Sequence, residues 1–139
     1  MPNDPNCIFC KIVAGRIPCA KVHETESAVA FLDIAPIAPG HTLLVPKDHH
    51  ATLAEIPGDV LAKALADLPR LARAVLQATG ATGLNVVQNN GREAGQLVAH
   101  IHFHLIPRAA GDSIHVHWPH GKYEGTAMDD LCSRIAAAL

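Results

Sequence analysis

The chain lacks any run of Lys and Arg long enough to follow a phosphate backbone. Its 11 basic residues are spread against 13 acidic ones, a formal charge of −2 with histidines neutral, which argues against nucleic acid as a partner. No apolar window approaches a membrane span, so no membrane partner is expected. Met1 to Asn6 carry an acid and two prolines and lead into no uninterrupted apolar stretch. No signal peptide is expected from that segment, and the cytoplasm is the expected compartment. Four cysteines in such a setting (Cys7, Cys10, Cys19 and Cys132) argue against a disulfide framework and for reduced thiols or metal ligands. Repeats and low-complexity tracts are missing too. What remains is 139 residues, 49% hydrophobic and 17% charged, read as a single domain over residues 1–139 with length enough to bury its own core.

Turn chemistry divides the chain into short elements. Lys21 to Glu24, Ala28 to Leu32 and His41 to Val45 are β-prone runs separated by Thr25-Glu26-Ser27 and by Pro36 to Gly40, a pattern that predicts an antiparallel three-strand meander. Thr52 and Glu55 have capping-box spacing, which predicts a helical turn starting at Thr52. Leu61, Leu65, Leu68, Ala72 and Val75 share one helical face from about Asp59 to Thr79, with Gly80 as the stop. Pro69 should kink that helix or divide it, because its ring meets the carbonyl of Leu65. Two more strands are expected at Leu84 to Gln88 and Val98 to Pro107, with a polar loop between them. A Gly-, His- and Pro-rich stretch, Gly111 to Gly125, then leads to a closing helix at Met128 to Leu139. The class is α+β, with about five antiparallel strands and packing helices.

Histidine is over-supplied: there are ten, six of them between His100 and His120. His100-Ile101-His102-Phe103-His104-Leu105-Ile106 alternates strictly, so in a strand the apolar residues enter the core while three imidazoles line the opposite surface. Successive imidazoles then start about 6.6 Å apart, a row that runs comfortably beside a phosphate chain. A solvated strand face is the bland reading. A zinc ion with an open water position is a second, since His-x-His can present two nitrogens to one metal. Nucleophilic catalysis is the third, because a neutral imidazole can attack phosphorus and divide one hard hydrolysis into two easier steps.

The run Gly95-Gln96-Leu97-Val98-Ala99-His100-Ile101-His102-Phe103-His104-Leu105-Ile106-Pro107-Arg108 resembles the signature of the histidine-triad (HIT) family of nucleotide hydrolases and transferases. So do Cys7 to Ile12, Ala30 to Pro36 and Pro39 to His49, in order and at plausible separations. The resemblance implies a HIT-like fold, a homodimer with a continuous sheet, and a C-terminal tail (109–139) that contributes to the pocket or the dimer interface. It implies that His102 attacks the α-phosphorus of a purine nucleotide derivative, a dinucleoside polyphosphate or a nucleoside phosphoramidate. His104 would then hydrogen-bond phosphate oxygens or the bridging atom, His100 would orient the nucleophile's surroundings, and Gln96 would help hold the phosphate. Asp33 would take the ribose hydroxyls, Phe9, Phe31, Ile8 and Ile34 the purine, and Asn89 a polar substrate contact, with His41 counted among the nucleotide-binding residues. No organic cofactor is implied.

Cys7-x-x-Cys10 has the spacing of half a tetrahedral zinc site. The resemblance completes it with His49 and His100 as a closed, structural site, with His50 as the competing third ligand. Leu97 departs from the phosphoramidate-cleaving pattern, where a Ser hydroxyl can assist the departing group. A purine nucleotide-binding module with little catalysis and a zinc-dependent hydrolase are the competing functions. His115, His117 and His120, with Trp118, are expected in a loop that closes over the pocket or meets a partner subunit. Cys19 and Cys132 have no neighbours of ligand type.

Overall fold

The computed structural model describes residues 3–115 and 118–139; His117 lies outside them. Short α1 (Ile8–Val13) precedes the meander β1 (Lys21–Glu24), β2 (Ala28–Leu32) and β3 (Thr42–Pro46). Helices α2 (Gly58–Leu65) and α3 (Leu68–Thr79) follow, then β4 (Gly83–Val87), β5 (Phe103–Arg108) and α4 (Ala127–Ala137). One antiparallel sheet in the order β1-β2-β3-β5-β4 holds all five strands.

Period-two alternation sorts the side chains of this sheet between two cores. Ala28, Ala30, Leu44, Phe103 and Leu105 pack beneath α2 and α3 with Leu71 and Val75. Val29, Phe31, Leu43 and Val45 face the other way, onto Cys7, Phe9 and Cys10 at α1. The sheet is therefore covered by a helical pair on one face and by the N-terminal segment on the other.

The expected long helix is two. α2 ends at Leu65, and Pro69 stands in the first turn of α3, where a missing N–H costs nothing. Gly80 closes α3 in the left-handed conformation, φ 71°, as its place after the last apolar position predicts. Gly40, at φ 93°, is required for a second reason: a Cβ there would lie 2.5 Å from the Thr79 methyl group, so the β2–β3 connection approaches the end of α3 as closely as it does only through glycine.

Two expectations need correction. Thr52 and Glu55 bond to one another, side chain to side chain at 3.1 Å and backbone to backbone at 3.2 Å, but the segment is a turn and no helix grows from it. The last strand begins at Phe103 and not at Val98. Its ladder to β3 runs from Leu44↔Phe103 to Thr42↔Leu105. Continuing it would bring in Pro46, which has no N–H to offer and whose carbonyl accepts the His100 ring nitrogen at 2.8 Å. His100, Ile101 and His102 are thus irregular chain, held by Ile101 N–H to the His50 carbonyl at 2.8 Å.

Candidate active site

The inward and outward alternation of the histidine segment survives without the strand. Ile101, Phe103 and Leu105 fill the core under the helices, while the imidazoles lie on the α1 face. They do not line an open surface, as the alternation suggested. His100 is wholly buried and His102 nearly so, because Phe9 of α1 lies edge-on against both rings, its centroid 5.9 Å from His100 and 5.0 Å from His102.

That burial sets the chemistry of the rings. Removal from water pushes His102, His104 and His41 below the ordinary histidine range, His104 to about 4, since a low-dielectric site disfavours the imidazolium. The carbonyl of His100 and the Asp33 carboxylate oppose the shift at His102 without cancelling it. The rings are neutral near pH 7, and their hydrogen bonds then dictate the tautomers. His102 Nδ1 lies 2.7 Å from the carbonyl oxygen of His100; it must donate, so its Nε2 carries a bare lone pair. Ile37 N–H donates to His41 Nδ1 at 3.1 Å, leaving the His41 proton on Nε2. That atom sits 2.9 Å from His104 Nδ1, which accepts, so His104 presents an Nε2–H. A bare ring lone pair and a hydrogen-bond donor therefore stand side by side, ring centroids 4.9 Å apart. Asp33 lies 3.7 Å from His41 Nε2.

These groups open into a cleft of about 540 Å³. Ile8, Phe9, Phe31, Asp33, Ile34, His41, Asn89, His102 and His104 all line it. Phe9 and Phe31 form a buried floor, edge to face at 5.8 Å, whereas Ile34 stands at the rim, 99% exposed. Gln96 is not among the lining residues. Its carboxamide accepts from Gly91 N–H at 2.8 Å and donates to the carbonyls of Ala51 and Val98 at 2.7 and 3.0 Å. With its amide so bonded, it braces the loop and has no free donor for a phosphate. Sequence reasoning passed over Leu43, Ile12, Ile17 and Ile37, which also line the cleft. Leu43 was legible as the residue two after His41 on one strand face, and Ile12 as the residue four after Ile8 on α1.

Behind the histidines, Cys7, Cys10, His49 and His100 converge, their ligand atoms all within 4.8 Å of one another. Around an ion with tetrahedral bonds of about 2.3 Å to sulfur and 2.05 Å to nitrogen, sulfur and nitrogen lie about 3.6 Å apart and two nitrogens about 3.3 Å apart. His100 Nδ1 is 3.5 Å from the Cys7 sulfur and 3.6 Å from that of Cys10, which is 3.3 Å from His49 Nδ1; the two nitrogens are 3.2 Å apart. The four residues fit a tetrahedral metal ion. His100 is further prepared for it: its Nε2–H donates to the Pro46 carbonyl, directing Nδ1 to the cluster, and burial lowers its pKa to about 4, so the ring is neutral. His50 is not part of this cluster. In a second grouping, Asp33, His41 and His104, the two histidines are hydrogen-bonded as described above and Asp33 stands 3.7 Å from His41 Nε2.

His120 and Trp118 are exposed. Among the described residues no helix is long and apolar enough to cross a membrane.

The HIT domain model matches residues 14–111. Adenosine 5'-monophosphoramidase hnt1 of Schizosaccharomyces pombe is 47% identical over 115 residues, 82% of this chain and 84% of that protein. The crystal structure of SMU.412c from Streptococcus mutans superposes with a TM-score of 0.93 at 41% identity, over 99% of this chain and 88% of the other. A zinc-bound histidine triad family protein from Mycobacterium smegmatis gives a TM-score of 0.75 at 34% identity, over 96% of this chain and 98% of its own. Fold, histidine segment and matched residues agree: this chain belongs to the HIT domain family.

Proposed function

We propose that the protein hydrolyses the bond between the α-phosphorus of a purine nucleotide and a departing phosphate or nitrogen group, through a covalent nucleotidyl-His102 intermediate. One observation carries this reading: His102 Nδ1 is held by the His100 carbonyl at 2.7 Å, which leaves Nε2 free to attack in the same cleft where His104 offers an N–H. The S. pombe relative, named for adenosine 5'-monophosphoramidase activity, supports the substrate class.

In the first step the Nε2–P bond forms and the bond to the departing group breaks, the electron pair leaving with that group; His104 Nε2–H hydrogen-bonds a departing phosphate and passes its proton to a departing nitrogen. Water then attacks phosphorus and gives one proton to His104 Nε2 where that was emptied, and otherwise to solvent, while the N–P bond breaks and returns its pair to Nε2, and the monophosphate leaves. Asp33 accepts hydrogen bonds from the ribose hydroxyls, Asn89 contacts the phosphate end, and Ile8 and Ile34 close over a purine resting on Phe9 and Phe31. Gln96 holds the loop that carries Gly95 and Leu97 to the cleft.

Cys7, Cys10, His49 and His100 hold a structural zinc ion, which ties α1 to the histidine segment. Four protein ligands leave no position for an activated water, which weighs against a zinc-dependent hydrolase. The chain works as a cytoplasmic homodimer, its sheet continued through the unpaired edge of β4. The test is His102→Gly, assayed against diadenosine polyphosphate and adenosine phosphoramidate. Turnover should fall at least about 10³-fold while adenosine monophosphate still binds by calorimetry. Unchanged turnover removes the mechanism, and nucleotide binding without turnover in the parent protein marks a binding module.

A further inference from the structure

Asn89 stands in the cleft with nothing of the protein holding its side chain. It lines the same cavity as His102 and His104, and its carboxamide makes no hydrogen bond among the described residues. The carboxamide nitrogen lies beside Gly95, where a Cβ would stand 3.9 Å from it. Asn89 also lies past the end of β4: Val87 is the last residue of that strand and pairs with His104. A side chain so placed keeps one direction only if the backbone beneath it is fixed by some other means.

Its two neighbours supply that means. Gln88 and Asn90, which do not line the cleft, bond to each other across Asn89: Asn90 Nδ2 donates to Gln88 Oε1 at 2.6 Å, and Gln88 Nε2 donates to Asn90 Oδ1 at 3.0 Å and to the Asn89 carbonyl at 3.1 Å. Leu53 N–H donates to the same Asn90 Oδ1 at 2.6 Å. That oxygen accepts from two N–H groups, so the Asn90 amide has one orientation; turned over, it would set N–H against N–H. Leu53 belongs to the turn closed by Thr52 and Glu55. The same segment takes the Gln96 amide on the Ala51 carbonyl at 2.7 Å and Ile101 N–H on the His50 carbonyl at 2.8 Å. Residues 50–53 therefore anchor the chain around the cleft at Asn90, Gln96 and Ile101.

We propose that Gln88 and Asn90 are positioning residues: joined to each other and, through Asn90, to the Leu53 amide, they aim the Asn89 carboxamide so that its N–H meets a phosphoryl oxygen as the Nε2–P bond forms. This rests on the reading of Asn89 as a contact at the phosphate end and names what directs it. The bonds around Asn90 are exposed and contribute little to folding. Their loss acts on rate instead, because a donor out of line is missed most where charge gathers on the phosphoryl oxygens, in the transition state.

A double-mutant cycle tests it in the full-length, metal-bound protein: Asn89→Ala, Asn90→Ala and the two together, assayed with adenosine phosphoramidate and followed by thermal melting. Asn90→Ala should lower kcat about tenfold, with KM within about twofold and a melting temperature within about 2 °C of the parent. Asn89→Ala should lower kcat about 10²-fold, and Asn90→Ala added to it should cost less than about a further twofold. Gln88→Ala should repeat the pattern of Asn90→Ala, including its dependence on Asn89. A kcat that Asn90→Ala leaves unchanged, a fall that recurs in full in the Asn89→Ala background, or a loss of turnover that tracks the melting temperature overturns the proposal and leaves the reading of the site standing. A parent protein that binds adenosine monophosphate but turns over no adenosine substrate overturns both.

Discussion

The carbonyl oxygen of His100 accepts the Nδ1–H of His102 at 2.7 Å, while the ring of the same His100 turns its own Nδ1 to within 3.5 Å of the Cys7 sulfur. One residue thus joins the Cys–His cluster to the ring whose lone pair faces the cleft. Its backbone fixes the tautomer of His102, and its side chain is locked by groups from α1 and from the segment after β3.

The coupling predicts that the cluster governs both stability and binding. Cys10→Ser should abolish stoichiometric zinc, measured by atomic emission, and lower the melting temperature by roughly 5–15 °C, as expected for the loss of a structural metal worth a few kcal/mol. Nucleotide affinity should weaken with it, because Phe9 lies between the two cysteines in sequence and packs on His102. A variant that keeps its melting temperature shows that the cluster bears no structural load.

His41 imposes the tautomer of His104, so the replacement that matters is one of hydrogen-bonding capacity. His41→Leu should lower kcat about 10²-fold with little change in KM, and most steeply for substrates with poor departing groups. His41→Gln retains an acceptor for Ile37 N–H and a donor for His104, and should recover much of the loss. Equal defects in the two variants would reduce His41 to a packing role.

Acid should act through His104, whose pKa burial lowers to about 4, with the His102 and His41 rings adding to the fall and Asp33 opposing it. An unfolded histidine titrates near 6.5. Between these values the unfolded chain binds the extra proton, so the contribution of this ring to stability is whole above pH 6.5 and is lost as pH falls towards 4. Denaturant titrations should show stability declining across that window. A profile flat from pH 7 to pH 4.5 contradicts the burial argument.

Leu97 projects into the cleft mouth, 96% exposed, and has no proton to give. Leu97→Ser should raise kcat for adenosine phosphoramidate by roughly tenfold and leave diadenosine polyphosphate cleavage within about twofold, because a departing phosphate needs less help. Steady-state kinetics with both substrates decides it; equal changes for the two would mean that the side chain does not meet the departing group.

Much of the fold is written in local patterns. The β1–β3 meander, the Gly80 stop and the break imposed by Pro69 each follow from backbone chemistry within a few residues. The length of β5 does not, because it depends on what stands across from it: Pro46 ends a ladder that the alternation from His100 onward seemed to promise. Gln96 misleads for a similar reason. Its neighbours lie at the cleft, but its amide is taken by Gly91, Ala51 and Val98, partners as far as 45 residues away. Cys7-x-x-Cys10 supplies half of a metal site by spacing alone, whereas the convergence of His49 rather than His50 is decided by how the segment after β3 turns. The Ile37–His41–His104 chain of hydrogen bonds had no sequence signal, because it is made where a loop amide meets two strands.

The central claim is that His102 Nε2 becomes bonded to phosphorus. Rapid-quench intact-protein mass spectrometry with substoichiometric adenosine phosphoramidate tests it most directly. A transient species heavier by one adenylyl group, mapped to His102 and missing in His102→Gly, is the predicted result. Single-turnover release of monophosphate with no such species at any quench time, from the first milliseconds to completion, would contradict it.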